Sequence, residues 1–321
     1  MKNNANIKKL NNIIERELLP IIDRDYVLLD VPDHDNIGDH LIWEGEEHFL
    51  KRVNHNNLYT CSLHFYDVKK VPENCLILLQ GGGNFGDLYP VVNQFRLKII
   101  RDHMDKKILF FPQTIHYNNR KNLEKDAKIV NSHPNLIICL RDESSFEIAR
   151  ENFINAELLL VPDMAFCIDP EDMFRKGARN KTLIMMRRDA EQTDYEKDIS
   201  KDNNDILDWP TFNMARKKRY KRLRFEHRMD RVAKLLLKSN LTSFLIDPKS
   251  GLKRKNRRQN FIKIGLDFFA DYETIYTTRL HGLILGILMG KNMKVMDNNY
   301  GKLSSFYNCW LKDFKDVEIV D

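Results

Sequence analysis

CLILLQGGGNFGD, residues 75–87, is the stretch whose reading decides the fold. Residues 75–80 form an unbroken apolar run of strand length ending in Gln80, without the alternation that marks a strand with one wet face. A strand covered by helices on both faces needs such a run, which points to a parallel sheet. The glycines come at once. At the end of a buried strand they mean that backbone approaches something closely or takes up positive φ. The spacing G-G-G-x-x-G departs from the dinucleotide fingerprint, and a lone glycine cluster is weak evidence for a nucleotide. Without a ligand the same residues read as a tight turn, with Asn84 and Asp87 capping the next helix.

The pattern repeats on either side. Residues 107–111 read as a buried strand ending in PQTIHY, residues 136–140 as another ending in RDESSFEIAR, and residues 158–161 as another ending in PDMAF. Asp142 or Ser144 is placed to cap the helix after the second of these. Upstream, residues 26–31 feed into DHDNIGD, with Asp39 the expected N-cap of the following helix. Ile7, Leu10, Ile13, Ile14 and Leu18 fall at helical spacing, so an amphipathic helix opens the chain and Pro20 ends it. Strands alternating with helices predict an α/β fold with a parallel, helix-covered sheet. In such sheets the loops after the carboxyl ends of strands form the binding crevice, and each unusual cluster falls at such an end.

Residues 169–180 turn polar and read as a linker. A further strand at 182–186 leads into Arg187, Arg188 and Asp189. A long charged segment follows, from about residue 194 to 260, and helical spacing returns at 261–270. Residues 272–277 are rich in β-branched and aromatic types, which favours a strand. LHGLILGILMG then reads as a buried helix, with Arg279 and His281 where strand gives way to helix. There the unpaired N–H groups of a first helical turn and their partial positive charge make a socket for a small dianion. Val295 and Met296 suggest a short strand, and residues 304–314 a last helix.

With 321 residues and a net charge of +6, the chain has room for two core-bearing domains or one large one. The polar opening lacks the apolar core of a signal peptide, and no run approaches the roughly 20 apolar residues that span a bilayer. Five cysteines, scattered without zinc-type spacing, predict a reduced, cytoplasmic protein without a structural metal.

Several residues have the chemistry of a site. Asp33, Asp35, Asn36 and Asp39 can bind hydroxyls, as a sugar would require, or cap the helix that follows. Their spacing does not match a calcium loop. His116 can act as a general acid or base, or serve as a polar loop residue. Arg141, at the end of a buried strand, must pair with a carboxylate or with a ligand anion. The run RKKRYKRLRFEHRMDR, between Arg216 and Arg231, carries no helix-turn-helix, zinc-finger or RNA-module signature, which argues against nucleic acid. It reads as a solvated helix face, or as a contact with an anionic membrane surface or a diphosphate-bearing acceptor.

Taken in order, DNIGD, LLQGGGNFGD, FPQTIH, LRDESS, VPDMAF and TTRLHG resemble the polysaccharide pyruvyl transferase family, over roughly residues 30–291. Residues 194–260 fall outside the resemblance. It implies two Rossmann-like domains facing across a cleft, as in GT-B glycosyltransferases: residues 1–170 on the acceptor side, and residues 181–321 with the RLHG motif. The last helix is expected to pack back on the first domain. The implied reaction moves a pyruvyl group from phosphoenolpyruvate to two hydroxyls of one sugar, in a polysaccharide such as an exopolysaccharide or its lipid-linked precursor, forming a cyclic ketal. Arg279, Leu280 and His281 then contribute to the phosphoenolpyruvate site, with Arg141, or else Arg187 or Arg188, as a second anion-binding arginine. His281 or His116 is the expected proton donor, and Asp87 or His116 the base. Asp35, Asn36, Gly38, Asp39, Gly82, Gly83, Asn84 and His116 are the expected acceptor-binding residues. No cofactor or metal is called for, and the inner face of the membrane is a candidate location. Two other readings stand beside this one: a glycosyltransferase using a nucleotide sugar, and a non-catalytic binder of anionic glycans.

Overall fold

The computed structural model describes residues 3–175, 181–186, 204–212, 246–247, 251–252, 257–297 and 301–320. Helix α1 (Asn4–Leu18) opens the chain. The first sheet comprises β1 (Tyr26–Leu29), β2 (Asn57–Cys61), β3 (Leu76–Leu79), β4 (Gly82–Gly86), β5 (Ile108–His116), β6 (Leu136–Leu140) and β7 (Glu157–Leu160). Helices α2 (Ile37–Leu50), α3 (Pro90–Asp102), α4 (Arg120–Ser132), α5 (Glu143–Asn152) and the short α6 (Pro170–Met173) belong to the same half. The strand order is β2-β1-β3-β5-β6-β7, with β4 paired to β5, and the pairings are parallel.

The second half carries β8 (Thr182–Met185) and β9 (Asn204–Leu207), then a small antiparallel pair, β10 (Ile246–Asp247) and β11 (Gly251–Leu252). Then come α7 (Arg257–Phe269), β12 (Thr274–Thr277), α8 (Leu280–Leu288), β13 (Asn292–Met296), α9 (Lys302–Trp310) and β14 (Val317–Val320). Its parallel sheet runs β14-β13-β12-β8-β9. In both sheets the second strand lies outside the first, so the order reverses between β1 and β3 and again between β8 and β12. In open parallel sheets it is at such reversals, beyond the carboxyl ends of the strands, that ligands are bound.

The unbroken apolar runs have a direct structural cause. Along β3, Leu76 and Leu78 pack into one buried cluster, while Ile77 and Leu79 pack into the cluster on the opposite face. Both faces of the strand are dry, so no alternation survives in the sequence. One of these clusters continues through Ile37 and Leu41 of α2 into Phe261 of α7 and Leu285 of α8. The two halves therefore share a core. Gly265 permits this approach, because a Cβ there would lie 2.9 Å from Cγ2 of Ile37. On α9, Trp310 Nε1 donates to the Arg141 carbonyl at 2.7 Å, tying the last helix to the first half.

Several expectations need correction. GGGNFGD is not a turn: residues 82–86 form β4 beside β5, with Gly82 and Gly86 at φ of 128° and 118°. A Cβ on Gly86 would sit 1.9 Å from the His116 carbonyl oxygen, so glycine is required for that pairing. The cap of α2 is Asn36 and not Asp39, since Asn36 Oδ1 accepts from the Gly38 amide at 3.1 Å. Asp142, not Ser144, caps α5, accepting from the Ser145 amide at 2.8 Å. β2, β9 and β14 are short and half-exposed at one or both ends, and carry too weak a pattern to read. No helix among the described residues is long and apolar enough to cross a membrane.

Candidate functional site

Three strand ends and one helix start meet at a buried carboxylate, Asp163, just beyond β7. Its Oδ2 accepts from Arg141 Nη1 at 2.7 Å and lies 3.3 Å from His281 Nε2. Its Oδ1 accepts from the Ala165 amide at 3.0 Å. Arg141 follows β6, and His281 sits in the first turn of α8, so the cluster joins the two halves. Arg141 Nη1 is also 3.4 Å from His281 Nε2. Protonated at Nε2, the imidazole donates to Asp163; unprotonated there, it accepts from Arg141. Burial alone would push the Asp163 carboxyl up. The charge and hydrogen bond of His281, the Arg141 guanidinium and the Ala165 N–H together hold it well below the ordinary carboxylate value. Arg141 is fixed further by Thr114, whose Oγ1 accepts from Nε at 2.8 Å and donates to Asp142 at 2.8 Å.

Glycines frame this cluster from the first half. A Cβ on Gly83 would lie 3.3 Å from Arg141 Nη2, and one on Gly38 would lie 2.7 Å from His281 Nδ1. The imidazole therefore rests on bare backbone at the start of α2. Asp39 accepts from Asn36 Nδ2 at 2.9 Å, and its Oδ1 lies 3.9 Å from where a Cβ on Gly82 would sit, so the DNIGD loop faces the glycine strand. Behind both, the fully buried Arg96 donates to Asp30 at 2.7 Å, to Gln113 Oε1 at 2.7 Å and to the Gln80 carbonyl at 3.0 Å. Gln80 Nε2 reaches the Asp39 carbonyl at 3.0 Å. This network locks the carboxyl ends of β1, β3 and β5 together. Burial first, and the neighbouring His34, Arg257 and Arg258 after it, push the imidazole of the fully buried His40 well below its ordinary value. Its Nε2 reaches the His34 carbonyl at 2.8 Å, which pins the same loop.

Arg279 is placed differently from expectation. Its fork is not left open: Nε and Nη2 donate to the two oxygens of Asp208 at 2.5 and 2.7 Å, and its guanidinium carbon stands 5.1 Å from the Phe212 ring centroid. It is the N-cap residue of α8, with Leu280 half-buried beside it. Arg279 thus braces the helix start that presents His281.

The outer residues form a second group. His116 pairs with Gly86 at the far end of β4, three residues past Gly83 and roughly 10 Å away by strand rise. Its Nε2 lies 3.0 Å from Asn118 Oδ1. Asp87, expected as a catalytic base, ties the loop before α4 instead: it accepts from the Asn118 and Asn119 amides at 2.8 and 2.9 Å and from Asn122 Nδ2 at 3.1 Å. Against the upward push of burial, those donors hold its carboxyl below the ordinary value, which suits an acceptor of fixed bonds and weakens it as a base. Asp35 and Asn84 are half-buried, in the DNIGD loop and in β4 respectively. Arg187, Arg188 and the basic run at 216–231 lie outside the described residues. Among the described residues no cluster of three or more His, Cys, Asp or Glu is arranged to hold a metal ion.

Sequence reading missed Asp163, Asp208 and Glu46. Asp163 had a usable signal, since it follows a buried strand in VPDMAF. Asp208 follows a strand too weak to read, and Glu46 is an ordinary-looking residue inside a helix.

Comparison with known proteins adds the chemistry. The family model for polysaccharide pyruvyl transferase matches residues 36–300. The putative pyruvyl transferase EpsO of Bacillus subtilis (strain 168) is 29% identical over 313 residues, covering 94% of this chain and 91% of that protein. Pyruvyl transferase 1 of Schizosaccharomyces pombe is 28% identical over 306 residues, covering 88% of this chain and 69% of that protein. The crystal structure of a functionally uncharacterised protein from Klebsiella pneumoniae superposes with a TM-score of 0.59 at 18% identity, covering 100% of both chains, and supports the fold.

Proposed function

The chain belongs to the polysaccharide pyruvyl transferase family, and from that premise we propose that it transfers the pyruvyl group of phosphoenolpyruvate to two hydroxyls of one sugar, forming a cyclic ketal and releasing phosphate. One observation carries the proposal: Asp163 is shared by a guanidinium from one half and an imidazole from the other. Phosphoenolpyruvate brings a phosphate and a carboxylate, which suit guanidinium groups and helix N-termini. Arg141 offers the first, and the start of α8, capped by Arg279, offers the second.

In the proposed sequence His281 protonates the methylene carbon, leaving C2 an oxocarbenium-like centre. One sugar hydroxyl attacks C2 and loses its proton, phosphate departs, and the neighbouring hydroxyl closes the ring on the same carbon. The new methyl group keeps one proton equivalent, and inorganic phosphate carries off the other. Asp163 orients His281, while Arg141 steadies the departing phosphate. Gly38, Asp35, Asn36 and Asp39 face Gly82, Gly83 and Asn84 around the space assigned to the acceptor, with His116 at its outer end. The scheme draws on no redox cofactor and no metal ion. A lipid-diphosphate acceptor at the inner face of the membrane, met through the basic run at 216–231, fits the same reading.

The test is incubation with phosphoenolpyruvate and a panel of lipid-diphosphate saccharides, following phosphate release and the mass gain of a ketal. Turnover of a nucleotide sugar without phosphoenolpyruvate would refute the proposal in favour of glycosyl transfer. Binding of anionic glycans without any turnover would refute it in favour of a binding protein.

A further inference from the structure

Glu46 lies inside α2, fully out of water, and belongs to neither the donor nor the acceptor side described above. Its Oε1 accepts from the Gly81 amide at 2.8 Å, at the point where β3 passes into the glycine strand. Its Oε2 has no hydrogen-bond partner among the described residues. The helix is pressed onto the turn that carries Asp163: a Cβ on the preceding Gly45 would lie 1.9 Å from the Met164 carbonyl oxygen. Glu46 therefore stands between the glycine strand and the Asp163 turn. The charged groups that face it are Asp163 beyond β7, Glu47 on its own helix, and Arg96 from α3.

A carboxylate sealed from water with one amide donor and no ion pair is uncompensated, and a second negative charge beside Asp163 makes that worse. We propose that Glu46 is a positioning residue held as the neutral acid: it fastens the Gly81 amide, and so the strand that frames Arg141, while leaving Asp163 as the single negative charge serving Arg141 and His281. Burial, before the repulsion of Asp163 and Glu47, pushes its carboxyl well above the usual range, in keeping with this geometry.

The activity arm of the test rests on pyruvyl transfer; the spectroscopic arm does not. Infrared spectra of the full chain are expected to show the carbonyl stretch of a protonated carboxyl persisting above neutral pH and missing from Glu46→Gln. Absence of that band in the parent overturns the proposal. In kinetics, Glu46→Gln is expected to keep the neutral-pH kcat and to escape a fall that the parent shows at alkaline pH, with KM for phosphoenolpyruvate unchanged. Glu46→Ala is expected to lose about tenfold in kcat, the rate equivalent of one hydrogen bond. An identical alkaline fall in parent and Glu46→Gln overturns the proposal, as does a Glu46→Gln as slow as Glu46→Ala at an unchanged Tm. If the alanine variant fails to fold, the isosteric glutamine still decides. A parent that shows the band, lost in Glu46→Gln, but no pyruvyl transfer refutes the reaction and leaves Glu46 confirmed as the neutral acid.

Discussion

Each half of the molecule buries an arginine–aspartate pair at the end of its sheet, and the two pairs are built in opposite ways. Arg279 and Asp208 close on each other within the second half, with both carboxylate oxygens taken by one guanidinium. Arg141 and Asp163 meet through a single nitrogen, and the same carboxylate oxygen is shared with His281 from the other half. The closed pair is a brace that sets the start of α8. The open pair is a junction between the two halves, with Asp163 Oδ2 reached by Arg141 and His281 together. Chemically similar residues in similar strand-end positions thus close on each other in one half and link the two halves in the other.

The largest expected effect comes from removing the shared imidazole. His281→Ala should lower kcat roughly a thousandfold, the scale of general acid catalysis, with little change in Tm. Phosphate release at the parent's rate would strike His281 from the mechanism and leave the open pair without a function. Next is Asp163→Asn, which strands Arg141 out of water and should cost about 3–5 kcal/mol of stability as well as most of the turnover. Asp208→Asn should cost comparable stability but far less kcat; equal losses of kcat in the two variants would break the contrast between junction and brace.

The Asp163 junction also carries a dependence on pH. Asp163 is held below its ordinary value of 3.8 in the folded chain, so its contribution to stability is present above that value and is lost as pH falls below it. Denaturant melts should show a flatter acid limb for Asp163→Asn than for the parent, and superimposable limbs would contradict the pairing. Arg279→Lys, a smaller change, replaces a fork by a point charge that cannot span both Asp208 oxygens, and should raise KM for phosphoenolpyruvate about tenfold. The smallest effect is expected from His116→Ala. It ends β5, beside the outer end of β4, and should raise only the KM for the acceptor, so a loss of kcat matching that of His281→Ala would place it at the reacting carbon after all.

Much of this frame was legible in the sequence. Apolar runs such as 76–79 and 136–140 announced strands with two dry faces, and the polar clusters after them announced the crevice. Arg141, His281 and Gly38 were singled out on that ground, and the fold brings them together. What was not legible has physical causes. The glycines of 82–86 looked like a turn because glycine is a poor strand former; only the close approach of β5 makes them a strand. Asp87 looked like a base because nothing local shows that three N–H donors converge on it. Asn36 and Asp39 are equally good caps by type, and the choice depended on which one the Gly38 amide could reach.

By itself the sequence determined that its polar clusters would stand at the carboxyl ends of buried parallel strands. Long apolar runs can be satisfied only under helices, and strand-to-helix connections leave the polar residues at the rim. It could not determine which arginine would be braced and which left open. Asp163 and His281 are separated by 118 positions and Arg279 and Asp208 by 71, so neither pairing leaves a local trace. Those partnerships were decided by the shared core beneath α2, α7 and α8, because the packing of one half on the other sets which charges are close enough to neutralise each other away from water.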